Sequence, residues 1–437
     1  MQNGKRNALI WLRNDLRLLD HYAFHHAAKK CEGVVAYYAL DPNHFTETPW
    51  GFKKTGPFRS QFLIETLHQL SSDLAKKNIS LIVETQAPEK GISHWVEQLH
   101  ITDLYYQEEW TREEEVTAQA VRNELSPTLK IHNYCDQFLF HPEDLPMEIE
   151  NLPEVFTVFR KACEKQSKVR PSFPEISAFP KENYLPQEFK IPAITDLGFS
   201  PIAQPPHTAF PFKGGSRAGQ LRMEHYFWET EKLSFYKQTR NGLLGLDYSS
   251  KFSAWLANGS LSARQIYWEI KEYEARIQKN QSTYWLIFEL IWRDYFKFIS
   301  LKHQDRIFQL GGILQKDYHW KNNPKTIQAW IDGETREPFV NANMIELQKT
   351  GWMSNRGRQN VASYFAKDLL LDWRIGAAYF ESQLMDYDVH SNYGNWMYVA
   401  GVGNDPRDRK FNVRMQAERY DEGGKFQRLW NQQTLFE

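Results

Sequence analysis

Cysteine is scarce in this chain of 437 residues: Cys31, Cys135 and Cys163 lie far apart, with no CxxC or other metal spacing. That excludes a disulfide scaffold and a structural zinc site, and it fits a reducing, cytoplasmic setting. No apolar run is long enough for a membrane helix, and MQNGKRNALIW lacks a signal-peptide core, so the chain reads as soluble with no membrane partner. An excess of one charge is missing too. With 53 Lys and Arg against 54 Asp and Glu, the formal net charge is −1. Any nucleic-acid contact must therefore come from a local basic patch. Internal repeats and low-complexity segments are absent. Aromatic residues, by contrast, are plentiful: 15 Trp, 21 Tyr and 28 Phe make up 15% of the chain. Most such rings fill cores, but stacking surfaces for bases or a ring cofactor draw on the same residues.

The first 135 residues alternate short apolar runs with amphipathic helical stretches. Strands are expected at Ala8–Leu12, Gly33–Leu40, Ile79–Thr85, Thr102–Gln107 and Leu129–Tyr134, with helices such as RSQFLIETLHQLSSDLAKK and EEEVTAQAVRNEL between them. This pattern predicts a doubly wound parallel α/β sheet, whose ligands sit beyond the carboxyl ends of the strands. RNDLRLLD follows the first strand where a dehydrogenase would carry GxGxxG, so a dinucleotide site of that type is excluded. Residues 136–212 are rich in proline and lack sustained periodicity, as expected of a connector draped over the surface. Residues 213–437 read as helical almost throughout. SARQ (Ser262–Gln265) is a capping box, STYWLIFELIWRDYFKFISLK a long helix, and the Gly351–Trp373 region another, with Trp373 just past its end.

Several clusters bear chemistry. Trp285, Glu289, Trp292 and Phe296 share one helix face, setting a carboxyl on a tryptophan-lined stripe. Pattern alone slightly favours an intrahelical Glu289–Arg293 ion pair over a carboxyl of raised proton affinity. Ser249, Ser250 and Ser253 bracket Lys251 and Phe252 where a helix should begin. A helix start of this kind can hold a phosphate, but taken alone the pattern favours an ordinary N-cap beside a solvated lysine. In DYDVHSNYGNW, Asp386, Asp388 and His390 alternate, but no third carboxylate stands at useful spacing and an arginine partner is simpler, so no metal is expected. NYGN before Trp396 looks like a loop pressed on something flat. Asn355, Arg356, Arg358 and Gln359 crowd the first turns of an otherwise apolar helix, and buried guanidinium and amide groups require a partner.

Together these stretches resemble the photolyase/cryptochrome family, and most closely its DASH-type cryptochrome branch. The resemblance runs from ALIWLRNDLRLLDH through GGSRAG, YKQTRNGLLG, YSSKFSAWLANGSLS and YWLIFELIWRDYF to PFVNANM, GWMSNRGRQNVASYFAKDLLLDWR and SNYGNWMYVAGVGNDPR. It implies an α/β antenna domain (1–135), a connector (136–212) and an all-helical FAD-binding catalytic domain (213–437), in a monomer. It further implies light-driven repair of cyclobutane pyrimidine dimers by electron transfer from reduced FAD, with a folate antenna expected to be 5,10-methenyltetrahydrofolate.

Carried over by position, Tyr236, Ser249, Ser250, Lys251, Phe252, Ser253, Arg293, Asn355, Arg358, Asp386, Asp388 and Asn392 match flavin-binding residues. Glu289 and Trp292 match the carboxylate and stacking ring of the lesion pocket, with Asn355 beside them, which overturns the ion-pair preference. Arg240, Arg356, Gln359 and Tyr398 match the DNA side. Trp396, Trp373 and Trp320 match an electron relay, and Glu109 an antenna-contacting acid. A flavin then answers the question of what partners the polar turn of SNRGRQN. Tyr398 stands where other photolyases carry a second lesion-side Trp, and Gln359 where they often have Met. Both departures resemble the DASH branch and imply damaged single-stranded DNA as the partner, since a weaker grip cannot extrude a lesion from a duplex. Duplex or (6-4) repair and RNA binding stay open, as does a blue-light photoreceptor role. Signalling members commonly carry a long tail, whereas this sequence stops at Glu437.

Overall fold

The computed structural model describes residues 6–405 and 407–431. Strands β1 (Asn7–Trp11), β2 (Gly33–Ala39), β3 (Leu81–Glu84), β4 (Asp103–Gln107) and β5 (Lys130–Tyr134) form one parallel sheet in the order β3-β2-β1-β4-β5. Four helices cross over between them: α1 (Tyr22–Lys30), α2 (Pro57–Ala75), α3 (Pro88–Gln98) and α4 (Arg112–Glu124). Alternate strand residues face opposite ways, as the pleat demands. Ala8, Ile10, Val34 and Ala36 pack with Phe24 of α1 and with Ile64 and Leu67 of α2. On the other face, Leu9, Trp11, Val35 and Tyr37 pack with Ile92 and Trp95 of α3 and with Val121 of α4. The sheet is therefore doubly wound. The order in which strands are added reverses between β1 and β4, which opens a crevice at their carboxyl ends.

Residues 136–212 are largely irregular but include α5 (Phe156–Gln166). Proline masks its periodicity over the whole stretch, yet Phe156, Phe159 and Cys163 recur at helical spacing and are buried. Beyond it come α6 (Ser216–Glu224), α7 (Tyr236–Thr239), α8 (Ser253–Ala257), α9 (Ala263–Arg276), α10 (Gln281–His303) and α11 (Pro324–Ile331). The remaining helices are α12 (Pro338–Thr350), α13 (Asn355–Ser363), α14 (Trp373–Gln383), α15 (Val389–Ala400), α16 (Val413–Tyr420) and α17 (Lys425–Asn431). The SARQ capping box opens α9, with the Gln265 N–H donating to Ser262 Oγ at 3.0 Å and the Ser262 N–H to Gln265 Oε1 at 2.9 Å.

Two local expectations are corrected. NYGN is no loop; it lies inside α15, which Asp388 caps by accepting from the Ser391 N–H at 2.8 Å. Gly394 looks like a turn signal, but its role is close packing, because a Cβ there would collide with the Phe296 ring of α10. The long helix expected over Gly351–Trp373 is α13 followed by a widened π-turn at Tyr364–Asp368, and Trp373 opens α14 rather than trailing a helix.

A buried charge network clamps sheet to helices. Arg264, 3% exposed, donates to Asp20 Oδ1 at 2.7 Å and to Asp136. Asp20, fully buried, also accepts from the Ser262 hydroxyl at 2.5 Å and the Phe173 N–H at 2.9 Å. Arg17, after β1, donates to the Gly259 carbonyl at 3.1 Å. Removing one partner of such a set strands the others in a medium that cannot solvate them. Arg264→Ala is expected to cost about 3–5 kcal/mol of stability in denaturant unfolding; a loss below about 1 kcal/mol, the level of a surface pair, would contradict the clamp.

Candidate functional site

Helices α7, α8, α10, α13, α14 and α15 enclose a cavity of about 300 Å³. Every residue matched to flavin binding lines it: Tyr236, Ser249, Ser250, Lys251, Phe252, Ser253, Arg293, Asn355, Arg358, Asp386, Asp388 and Asn392. Arg358 donates to both carboxylate oxygens of Asp386 at 2.9 Å and to the Met353 carbonyl at 2.9 Å. Lys297 donates to Asp388 at 2.9 Å and to Gln137 Oε1 at 2.7 Å. Burial alone would raise the Asp388 carboxyl, but Lys297, His390 and Arg293 outweigh it and hold it far below the usual range. Asn392 Nδ2 donates to the Ala377 carbonyl at 3.0 Å, and its residue forms part of the cavity wall. Asp386, Asp388 and His390 thus turn to separate partners, His390 meeting Ser300 at 2.6 Å.

Also in the cavity wall, Lys251 is only 2% exposed, and its Nζ has no hydrogen-bond partner. It sits at φ 66°, a left-handed conformation costing a non-glycine residue about 1–2 kcal/mol. The ammonium lies 3.3 Å from the Tyr248 ring centroid and 4.8 Å from that of Trp352. The solvated-lysine reading is therefore wrong. A buried lysine without a hydrogen-bond partner, its proton affinity lowered by burial, beside Ser249, Ser250 and Ser253, with aromatic walls and the unpartnered Trp396 Nε1, suits a ligand that is both anionic and ring-bearing. FAD meets that description.

The turn of SNRGRQN is less buried than its pattern suggests. Asn355 is exposed at the cavity mouth, and Arg356, Arg358 and Gln359 are half-buried. Arg356 lies outside the cavity lining and has protein partners: Asn241 Oδ1 at 3.0 Å, Gln359 Oε1 at 2.9 Å, Gln416 Oε1 at 3.2 Å and the Tyr420 ring at 4.4 Å. A flavin is not needed to satisfy it. Glu289 does not pair with Arg293, which donates to the carbonyls of Gln137 (2.6 Å) and Leu256 (3.2 Å). Its partner is Arg240, and both line the cavity. Trp292 is half-buried outside the cavity lining, stacked on Phe156 with centroids 3.6 Å apart. Tyr398 meets Trp292 edge-on at 6.2 Å and accepts from Arg409 at 3.0 Å.

Trp396 is buried and lines the cavity; Trp373 is fully buried, and Trp320 is half-buried. The Lys321 N–H donates to the Leu370 carbonyl at 2.6 Å, which brings the segment after Trp320 alongside the residues that lead into α14.

A larger cavity of about 650 Å³ lies at the carboxyl ends of β1, β2 and β4, covered by α10 and α15. Glu109 is in its wall, 7% exposed rather than solvated, and accepts from Asn14 Nδ2 at 3.0 Å. Ala257, Arg293, Tyr387 and Asp388 line both cavities. Sequence reasoning missed Lys297, although Glu289, Arg293 and Lys297 recur every four residues along α10. It also missed Glu346, an acid on the buried face of α12, 1% exposed with Oε2 unpartnered. An acid amid PFVNANMIEL is itself a signal.

Residues 8–180 match the family model for DNA photolyase, and residues 285–434 match that for the FAD binding domain of DNA photolyase. Fold and site thus define a photolyase-type flavoprotein. Cryptochrome DASH of Xenopus laevis is 48% identical over 433 residues, covering 97% of this chain and 82% of that protein. Cryptochrome DASH of Gloeobacter violaceus is 46% identical, covering 97% and 85%. The crystal structure of Synechocystis sp. PCC6803 cryptochrome superposes with a TM-score of 0.94 at 44% identity, covering 98% of this chain and 89% of that one. The chain belongs to the photolyase/cryptochrome family, in its cryptochrome DASH branch. Among the described residues no helix is long and apolar enough to cross a membrane.

Burial pushes the Glu346 carboxyl up to about 8, against the pull of Lys251 and Arg358, from an ordinary 4.5. Between those values the native state keeps a proton that the unfolded chain has lost, so stability falls as pH rises from 4.5 to about 8. Glu346→Gln removes that penalty. Its stability gain in urea unfolding is expected to grow from about pH 5 to about pH 8; a gain independent of pH would contradict the assignment.

Proposed function

We propose that this chain repairs cyclobutane pyrimidine dimers in single-stranded DNA, driven by light and dependent on FAD. The observation that carries the reading is Glu289, set with Arg240 in the wall of the flavin cavity. Reduced FAD, once bound there, supplies the electron that splits the dimer and regains it afterwards. The residues of the chain bind, orient and tune. Burial raises the proton affinity of Glu289 while Arg240 draws it down. A strand phosphate that engages Arg240 would lift that restraint, leaving a carboxyl fit to donate a hydrogen bond to a pyrimidine carbonyl and to stabilise charge on it.

Strand preference follows from the stacking surfaces. Phe156 covers one face of Trp292, and a phenol tied to Arg409 stands at position 398. A flipped lesion therefore finds one face of Trp292 covered and a phenol in place of an indole at position 398. Base–aromatic stacking is worth about 1–3 kcal/mol per base, comparable with the cost of extrusion from a duplex, so a missing platform weighs most on duplex substrates. The larger cavity, with Glu109 in its wall and four wall residues shared with the flavin cavity, suits an antenna such as 5,10-methenyltetrahydrofolate.

Dimer repair under blue light by photoreduced protein, on matched single-stranded and duplex oligonucleotides, tests the reading. Repair confined to the single strand is expected; equal repair of both would overturn the stacking argument, and repair of neither would overturn the function. Glu289→Ala, which removes the donor that Gln would keep, should weaken binding of the dimer-containing strand by about fivefold, the net value of one neutral hydrogen bond, with flavin absorbance unchanged.

A further inference from the structure

The three relay tryptophans do not exhaust the indoles around Trp396. Its ring meets Trp330 of α11 at 6.2 Å between centroids and 73°, as well as Phe380 at 5.1 Å and Phe365 at 5.9 Å. Trp373, the next relay member, has its ring contact with Tyr393 at 6.2 Å instead. Trp330 is fully buried, and its Nε1–H donates to the Val361 carbonyl at 3.2 Å. No role is given to it by the relay.

We propose that Trp330 is a side donor to Trp396, a buried store for the oxidising equivalent that leads nowhere else. The inference rests on FAD binding in the cavity that Trp396 lines and on the relay implied by the family resemblance, in which photoexcited oxidised flavin would take one electron from Trp396. The Trp396 indole, left as a radical cation, regains an electron from the Trp330 indole, which becomes the radical cation in turn. One electron moves and no proton does. The Trp330 N–H faces a backbone carbonyl, far too weak a base to hold its proton. Onward transfer is blocked as well. Phe365 and Phe380, at 4.6 and 6.3 Å from Trp330, are harder to oxidise than indole. Tyr379, at 5.8 Å, would have to shed a phenol proton whose loss burial opposes, and the Gln348 amide bonded to it is no base. Trp373 and Trp320 differ in that their route reaches half-buried ground at Trp320. The two donors therefore divide the work: the Trp373 branch makes charge separation last, and the Trp330 branch holds it briefly.

Transient EPR and transient absorption of the FAD-loaded protein after a flash test this. Trp373→Phe closes the outward route, and a short-lived tryptophan radical pair with two components should remain. Adding Trp330→Phe, which keeps an aromatic ring in the core, should remove the longer component. An identical decay in the single and double variants would overturn the proposal. The electron–electron dipolar coupling in Trp373→Phe alone, with Trp330 still in place, is a second readout that does not depend on the double variant folding. Two spin–spin distances support the side donor, and a single distance assignable to Trp396 contradicts it. Trp396→Phe separates the layers: if it leaves radical formation intact, the relay reading itself fails, whatever Trp330 does.

Discussion

Charge buried between the two halves of the chain fixes everything that depends on their relative placement. Arg264 from the helical half is held between Asp20 of the β1–α1 loop and Asp136 at the end of the sheet region. Removing three charges from water is expensive, and only their mutual pairing, completed by the Ser262 hydroxyl and the Phe173 N–H, offsets the loss. The geometry has little freedom as a result. With the halves locked, the crevice at the strand ends is roofed by α10 and α15, and its wall becomes the wall of the second cavity.

Helix α10 carries much of the chemistry because it touches both cavities. Glu289 and Arg293 line the smaller one; Arg293 and Lys297 line the larger. Stepping four residues at a time along one face, the helix presents an acid toward Arg240 and cations toward Asp388, while Asp294, pointing elsewhere, accepts from the Leu139 and Phe140 N–H groups at 2.9 and 2.8 Å. A single helix thus supports the flavin site, the seam between the halves and the connector.

Much of this was legible in the sequence, and the misses have physical causes. Parallel strands buried on both faces write themselves as apolar runs, as β1 to β4 do, and the exposed edge strand β5 was readable from its place after the last amphipathic helix. The residues around the flavin cavity were readable through their resemblance to a family, whereas spacing alone favoured the wrong partner for Glu289, because Arg240 is 49 positions away and no local pattern encodes it. NYGN was misread since a glycine chosen for close helix packing looks the same in sequence as one chosen for a turn. Lys251 was judged solvated because burial of a charge depends on the surrounding aromatic cage of Tyr248 and Trp352, which only the fold assembles. Trp292 and Phe156 come from different regions of the chain, and their stacking has no signature in either.

The account turns on the smaller cavity being a flavin seat built from the helical half. Its most direct test is the chromophore content of the purified protein, by absorbance and by release of the bound chromophore, before and after incubation with FAD. One FAD per folded chain is predicted. A folded chain that stays colourless in excess FAD would contradict the account.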